Sequence, residues 1–434
     1  MKHSMMRVIW MFITVLLLTG TASARQLQEN GAADTSMVAD LSAMIDIALK
    51  ENPGIRAAEK RYRSLLAVPP QVSTLPDPVL GYTRWVQNVE TRVGPQENVF
   101  VLSQRIPFPG KLGLRGKIAL QDAEAARQEY EAARRDVLFK VKSTYADLYN
   151  IDQSLRILRT YKRILRDFAD VAATKYATGA GIQAQVLKAH VEISTIEVKE
   201  LEFEKRRTGV VARLNALMNR AADTPVGTAV DIDLPPVPMD ERQLLSLARE
   251  KRQELKATQY MIEKAVFAKQ LARKNYLPDF NFQTTYISIP KVNDAFRDSG
   301  KDAFSVMLGI NLPIWLGPRR AAVEQATEMQ IARQYQYDNL WKTVEAEISD
   351  ILFQLKTLRE TLDLYEQGLL VQAESSLESA LSAYKTGKLD FLNLLDAERM
   401  LLQLRLAYTR EQSNYFKQYA ALEKAVGQPF NSQE

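Results

Sequence analysis

Between Lys111 and Tyr176 nothing breaks a helix except Gly113 and Gly116 near its start, and between Arg319 and Tyr384 only Gly368 intervenes. Each stretch holds 66 residues. At 1.5 Å rise per residue that is a rod of about 100 Å, far beyond the three or four turns usual in globular domains. Such rods cannot wrap a single compact core, so they must bury a stripe along one another. The stripe is visible. Val137, Val141, Leu148, Ile151, Leu155, Leu158 and Leu165 follow alternating three- and four-residue steps, with Thr144 and Lys162 interrupting. In the second stretch Val344, Ile348, Ile351, Leu355, Leu358, Leu362, Tyr365 and Leu369 repeat the steps 207 residues on (344 against 137). Sustained spacing of this kind is the coiled-coil signal.

The same duplication governs the punctuation. Tyr176-Ala177-Thr178-Gly179 recurs as Tyr384-Lys385-Thr386-Gly387. Leu75-Pro76-Asp77 recurs as Leu277-Pro278-Asp279, and Ile106-Pro107 as Leu312-Pro313. Three anchors in one order point to a duplicated unit of about 200 residues. After each Thr-Gly another helical pattern begins, from about Ile182 to Met218 and from about Leu389 to Val426. A short Gly-containing link between long helices makes an antiparallel hairpin, so Thr178-Gly179 and Thr386-Gly387 are expected at two hairpin tips. Shorter single helices are expected over Leu41 to Leu66 and Glu241 to Lys274.

Ahead of each rod the period changes to two. Phe304, Val306, Leu308, Ile310 and Leu312 fall on one face of Ala303–Leu312, and Asp279–Tyr286 alternates as well. Val79–Val86 and Asn98–Ile106 are less cleanly patterned, and Gln87–Glu97 and Lys291–Asp302 read as polar connectors. Strands of 9–11 residues with a dyad repeat suit an outer-membrane barrel. Tyr82, Trp85, Phe280 and Tyr286 are candidates for its interfacial aromatic belts. Four strands cannot close a barrel; two copies give eight strands with a filled interior, and three give twelve with room for a channel.

The expected domain order is a signal peptide at 1–24, a first repeat at 25–227 (strands about 79–106, helical hairpin about 111–219), and a linker at 228–240. A second repeat follows at 241–428 (strands about 279–314, helical hairpin about 319–426), then a tail at 429–434. Lys2 and Arg7, the apolar run Val8–Leu18 and the A-x-A ending at Ala24 make the leader. Without it, 55 bases face 52 acids, a net +3 that gives no reason to expect nucleic acid. There is no Cys, and His190 is the one His after the leader, so no metal site and no cofactor are expected. No GxSxG, P-loop, HExxH or dinucleotide motif occurs, and the chain is not expected to be an enzyme.

The duplicated halves, the Tyr-x-Thr-Gly tips, the Pro-flanked strand pairs and Leu395-Asp396-Ala397-Glu398-Arg399 resemble the TolC family of outer-membrane efflux channels. Leu75-Pro76-Asp77-Pro78 and Pro107-Phe108-Pro109-Gly110-Lys111 resemble its heavy-metal and cation branch. The resemblance implies a mainly α fold with membrane β. Long coiled-coil hairpins form a periplasmic α-barrel, and four strands per protomer contribute to a shared 12-stranded barrel in outer-membrane lipid. It implies a homotrimer that docks a periplasmic adaptor joined to an inner-membrane pump of the resistance-nodulation-division type. The protein would be a gated passive duct for metal cations or drugs. The other reading is a secreted or periplasmic coiled-coil structural or adaptor protein without a pore.

Carried over residue by residue, the resemblance places Tyr384, Asn393 and Asp396 at the gate, with Asp396 as a lumen-facing carboxylate. Asn393 stands where some members carry a second Asp, and Leu389 where some carry Arg, so an ionic lock built from those groups is in doubt. Lys188 is the counterpart of Asp396 in the first repeat and is expected to assist closure. The tip residues Thr178, Gly179, Thr386 and Gly387 are expected to meet the adaptor.

Overall fold

The computed structural model describes residues 38–292 and 297–430. The expected signal peptide lies outside the described residues. The elements run α1 (Leu41–Glu51), α2 (Pro53–Leu66), α3 (Val68–Ser73), β1 (Val79–Thr91), β2 (Gly94–Ile106), α4 (Lys111–Ala177), α5 (Gln183–Leu217), α6 (Glu241–Lys251) and α7 (Gln253–Lys274). Then come β3 (Phe280–Ser288), β4 (Ala303–Ile310), α8 (Leu316–Leu364), a π-helical turn (Tyr365–Leu369), α9 (Leu370–Lys385) and α10 (Phe391–Val426). They divide into two compact units. One joins the residues up to Met44 with 144–233 and 363–413, and the other joins 45–143, 234–362 and the residues from Asn414 on.

Three expectations are corrected. The single helices expected over 41–66 and 241–274 are each broken. At Asn52 the side chain accepts the N–H groups of Gly54 and Ile55, and Pro53 takes the first helical position. At Arg252 the backbone has nearly the same dihedrals (φ −63, ψ 123) with no proline to impose them. There the guanidinium reaches the Ala425 carbonyl at 3.2 Å and Glu347 at 2.6 Å. Gly427 sits so close that a Cβ would lie 2.8 Å from the Arg252 Cα, so packing, not local sequence, sets this break.

The second rod is not one α-helix. A π turn inserts one extra residue around Gly368. The stripe that should run from Leu362 to Leu369 therefore slips by one. Leu362 is buried, Leu369 is exposed, and Leu370, Ala373 and Leu377 take the inward positions. The first rod, α4, runs unbroken, with Val137, Val141, Leu148, Ile151, Leu155, Leu158 and Leu165 all buried as expected.

The first β-hairpin is longer than its pattern suggests. Gln87–Glu97 is mostly strand, paired through Val89–Gln96, Glu90–Pro95 and Thr91–Gly94 past an irregularity between Arg84 and Val89. All four strands form one antiparallel sheet in the order β1-β2-β3-β4. β1 and β4 are its edges. The register stacks Tyr82, Phe100, Tyr286 and Phe304 in one row, with ring centroids 5.1 Å apart for Tyr82–Phe100 and 6.3 Å for Phe100–Tyr286. Leu80, Leu102, Phe282, Val306, Leu308 and Ile310 share that face and are exposed. The opposite face is mixed: Gly81, Ser103, Gln283, Thr285, Ser305 and Gly309 alternate there with Val79, Val99, Val101, Ile287 and Met307. An exposed, aromatic-rich apolar face opposite a more polar, mixed one is the arrangement of a membrane barrel wall, lipid outside and lumen inside. Among the expected belt aromatics, Tyr82 and Tyr286 lie in the row. Phe280 lies at the far end of the sheet, stacked on Phe108 at 6.3 Å.

Where the sheet meets the rods, the repeated Leu-Pro-Asp gains a structural meaning. Asp279 precedes β3 and is buried, and its carboxylate accepts from Lys111 Nζ at 2.7 Å, the Phe108 N–H at 3.0 Å and Arg105 Nη2 at 3.0 Å. Lys111, only 4% exposed, also donates to the Leu277 carbonyl at 2.8 Å. Burial alone would raise the Asp279 pKa; the donors from Lys111, Phe108 and Arg105 outweigh it and hold the group at about 2.

Candidate functional site

The two tips are built alike. Gly179 and Gly387 both have φ 75. The Gly179 N–H donates to the Tyr176 carbonyl at 3.1 Å and the Ala180 N–H to Lys175 at 2.8 Å. Gly387 to Tyr384 and Lys388 to Ala383 repeat this at 3.1 and 2.9 Å. This is a Schellman close with glycine in the left-handed position. Thr178 and Thr386 add a hydroxyl bond each to the last turn, to Lys175 and Ala383, both at 3.1 Å. All four residues are exposed.

A Cβ at Gly179 or Gly387 would meet nothing within 4 Å. Backbone strain is thus the whole cost of a substitution. Gly387→Ala is expected to destabilise its tip by roughly 1–2 kcal/mol, read as faster amide exchange over 380–390. Gly209→Ala, in the interior of α5 with equally open space, is expected to stabilise by roughly 0.5–1 kcal/mol.

Next to the tips, α4, α5, α9 and α10 share one core of Leu158, Tyr161, Leu165, Ala189, Ile196, Ala373, Leu394, Leu395 and Leu402 among others. Polar contacts fasten each neighbouring pair. Lys162 meets Glu200 between α4 and α5. Glu192 meets Arg399, and Gln185 reaches Asp390 at 3.2 Å, between α5 and α10. Arg405 meets Glu374 at 2.7 Å between α10 and α9. Lys175 closes the ring of four helices by donating to the Tyr384 carbonyl at 2.7 Å, with its ammonium 4.1 Å from that ring's centroid.

The residues expected at the gate divide. Asn393 and Asp396 stand exposed, three residues apart on one face of α10. Lys188 is exposed on α5. It makes no ion pair with Asp396; the Asp396 carboxylate lies 3.4 Å from Arg399 of its own helix. Near the tips the two hairpins are joined by the ion pair Glu192–Arg399, a turn further from the tip. Tyr384 is 3% exposed and packs into the four-helix core, 5.4 Å from Phe391. Its counterpart Tyr176 is 50% exposed, so the identical letters occupy different environments.

One group escaped sequence reasoning. Glu398 is 1% exposed, and its Oε1 has no hydrogen-bond partner. Burial, and secondarily the Glu192 carboxylate, raise its pKa to about 7 against the opposing pull of Arg399 and Lys199. The signal was its heptad position among Leu394, Leu395, Leu401 and Leu402, where a charged residue is out of place.

No described helix is long and apolar enough to cross a membrane, and among the described residues no cluster of His, Cys, Asp and Glu could hold a metal ion. What the chain offers a bilayer is its sheet.

Known proteins agree with this architecture. A family model described as outer membrane efflux protein matches residues 44–220 and 244–428. The cobalt-zinc-cadmium resistance protein CzcC of Cupriavidus metallidurans is 22% identical over 393 residues, covering 89% of this chain and 90% of its own. VceC from Vibrio cholerae matches in structure with a TM-score of 0.74 at 21% identity, over 90% of this chain and 97% of its own. CusC matches with a TM-score of 0.76 at 17% identity, over 89% and 92%. The chain belongs to the outer membrane efflux protein family, the TolC-type channels that sit in the outer membrane by their strands and reach into the periplasm by their helices.

Proposed function

We propose that three copies of this chain close one 12-stranded barrel and one helical tube, and that the duct exports divalent metal cations handed over by a periplasmic adaptor and a resistance-nodulation-division pump. The observation that carries the trimer is the sheet: one exposed apolar face, one more polar and mixed face, and two edges, β1 and β4, that pair with no strand among the described residues. In lipid an open edge leaves backbone groups unsatisfied, so copies must pair edge to edge. A coiled-coil protein without a pore would have no use for this face. The two family-model matches support the reading of the chain as repeats at 25–227 and 241–428.

The metal class rests on the relative CzcC, whose name records cobalt, zinc and cadmium and which aligns along nearly the whole chain. A strain lacking this protein should become sensitive to those three cations and not to dyes or hydrophobic antibiotics. Sensitivity confined to drugs would reverse the assignment.

Six tips per trimer, each with Thr178-Gly179 or Thr386-Gly387, would face the adaptor. Asp396 would contribute three carboxylates to the narrow end, with Asn393 and Lys188 beside them. Arg399 tempers this field, so the expected effect is modest. Asp396→Ala should lower the cation-over-anion permeability ratio roughly twofold in planar bilayers; an unchanged ratio removes Asp396 from the pore.

A further inference from the structure

The duplicated Leu-Pro-Asp is satisfied once and left open once. Asp279, at the entry of β3, is held by Lys111, the Phe108 N–H and Arg105, all from the exit of β2, the neighbouring strand. Asp77 stands at the same place before β1. It is exposed, and its side chain makes no hydrogen bond or ion pair among the described residues. The reason is topological. β1 is a sheet edge, so no strand lies on the side from which Asp279 receives its donors.

The missing donors exist at the other edge. The exit of β2 reads Ile106-Pro107-Phe108-Pro109-Gly110-Lys111, and the exit of β4 reads Leu312-Pro313-Ile314-Trp315-Leu316-Gly317-Pro318-Arg319. Arg319 lies in the first turn of α8, whereas Lys111 is the first residue of α4. It has no acidic partner among the described residues. Its Nη1 and Nε rest instead on the carbonyls of Trp315 and Asn275, at 2.6 and 3.0 Å. The second exit is two residues longer, and an arginine has the longer reach and a two-pronged fork for a carboxylate. One edge of the sheet therefore carries an anion without a cation, and the other a cation without an anion.

We propose that Asp77 of each protomer is clamped by Arg319 of the partner subunit, the intersubunit copy of the clamp that Lys111 makes on Asp279. This rests on the trimer proposed above and names what locks its barrel at the periplasmic rim. The repeat makes all six junctions around the ring alike: three closed within protomers by Asp279, and three between protomers by Asp77.

The test is a charge exchange in the full-length protein extracted from outer membranes, read as the temperature at which the trimer dissociates on gels. Asp77→Arg and Arg319→Asp should each lower that temperature by about 5 °C or more, and the double exchange should recover at least half of the loss. The milder pair Asp77→Asn and Arg319→Gln covers the case in which a reversed charge blocks assembly. Their combined effect should equal the larger single effect, since either alone breaks the same contact. Additive losses in the mild pair, no loss in either single variant, or no recovery on exchange overturns the clamp while the trimer stands. Native mass spectrometry of the unaltered protein separates the two ideas, because a species other than a trimer overturns the proposed assembly and the clamp with it.

Discussion

Replacing Asp279 by Asn is expected to cost about 3 kcal/mol, the cost of leaving one member of a buried ion pair without its partner. Lys111 is 4% exposed and would keep only neutral acceptors, the Leu277 carbonyl and the new amide oxygen, with no charge to balance its own. Arg105, 66% exposed, adds little of this. The reverse substitution, Lys111→Met, should cost about as much, because a carboxylate stripped of its best donor stays buried. Combining Asp279→Asn with Lys111→Met should recover much of the loss, since each charge is then removed with the partner that required it. Unfolding of purified protein in a chemical denaturant would read all four corners of this cycle. Two small, additive losses would show that Lys111 and Asp279 do not act as a unit.

The pH dependence has a definite sign. The folded-state pKa of Asp279 lies at about 2, below its ordinary value of 3.8. The clamp therefore contributes in full above about pH 4 and is lost as the pH falls through 2. The Asn variant should lack that acid transition.

The rods, the tips and the duplication were legible because each rests on local chemistry: an unbroken three-four stripe, and a glycine that takes φ 75 at both turns. The π turn was legible in hindsight. The rods align at an offset of 207 residues at Val137 and Val344, and the tips at 208 at Tyr176 and Tyr384; the extra residue is the one inserted between Leu362 and Leu370. The break at Arg252 was not legible, because its causes, Glu347 and Gly427, lie far away in sequence. The gate was the least legible. Position relative to a tip could locate Asp396 and Lys188 but not their facing, and it could not tell that the Tyr384 ring packs in the core while Tyr176 stays half exposed. The Gln87–Glu97 segment was misread for a related reason. Polar residues near the end of a strand look like a loop unless the partner that pairs with them is known.

Glu398 leads to the second large effect, and here the pH dependence runs the other way. A carboxyl whose folded-state pKa is raised from 4.5 to about 7 binds its proton more tightly folded than unfolded. It costs nothing while both states are protonated, below about pH 4.5. The penalty grows through the interval and is complete above about pH 7, where the ionised group is buried without a partner for Oε1. Two and a half pH units correspond to roughly 3 kcal/mol. The cost falls on the four-helix core beside the tips, where Glu192 and Arg399 hold α5 to α10. The tip unit should therefore loosen between about pH 4.5 and 7, with no further loss at higher pH. Glu398→Gln keeps the shape, removes the charge, and should flatten this profile, leaving the unit more stable than the unaltered protein at pH 9 by roughly 2–3 kcal/mol. Amide exchange over 389–403, corrected for the intrinsic rate at each pH, would read the difference residue by residue. Glu192→Gln should shift the same transition to lower pH, because it removes the neighbouring carboxylate that helps hold the proton on Glu398. If the Glu398→Gln variant keeps the full pH dependence, some other group near the tips carries it, and the buried carboxyl is a packing defect without consequence for opening.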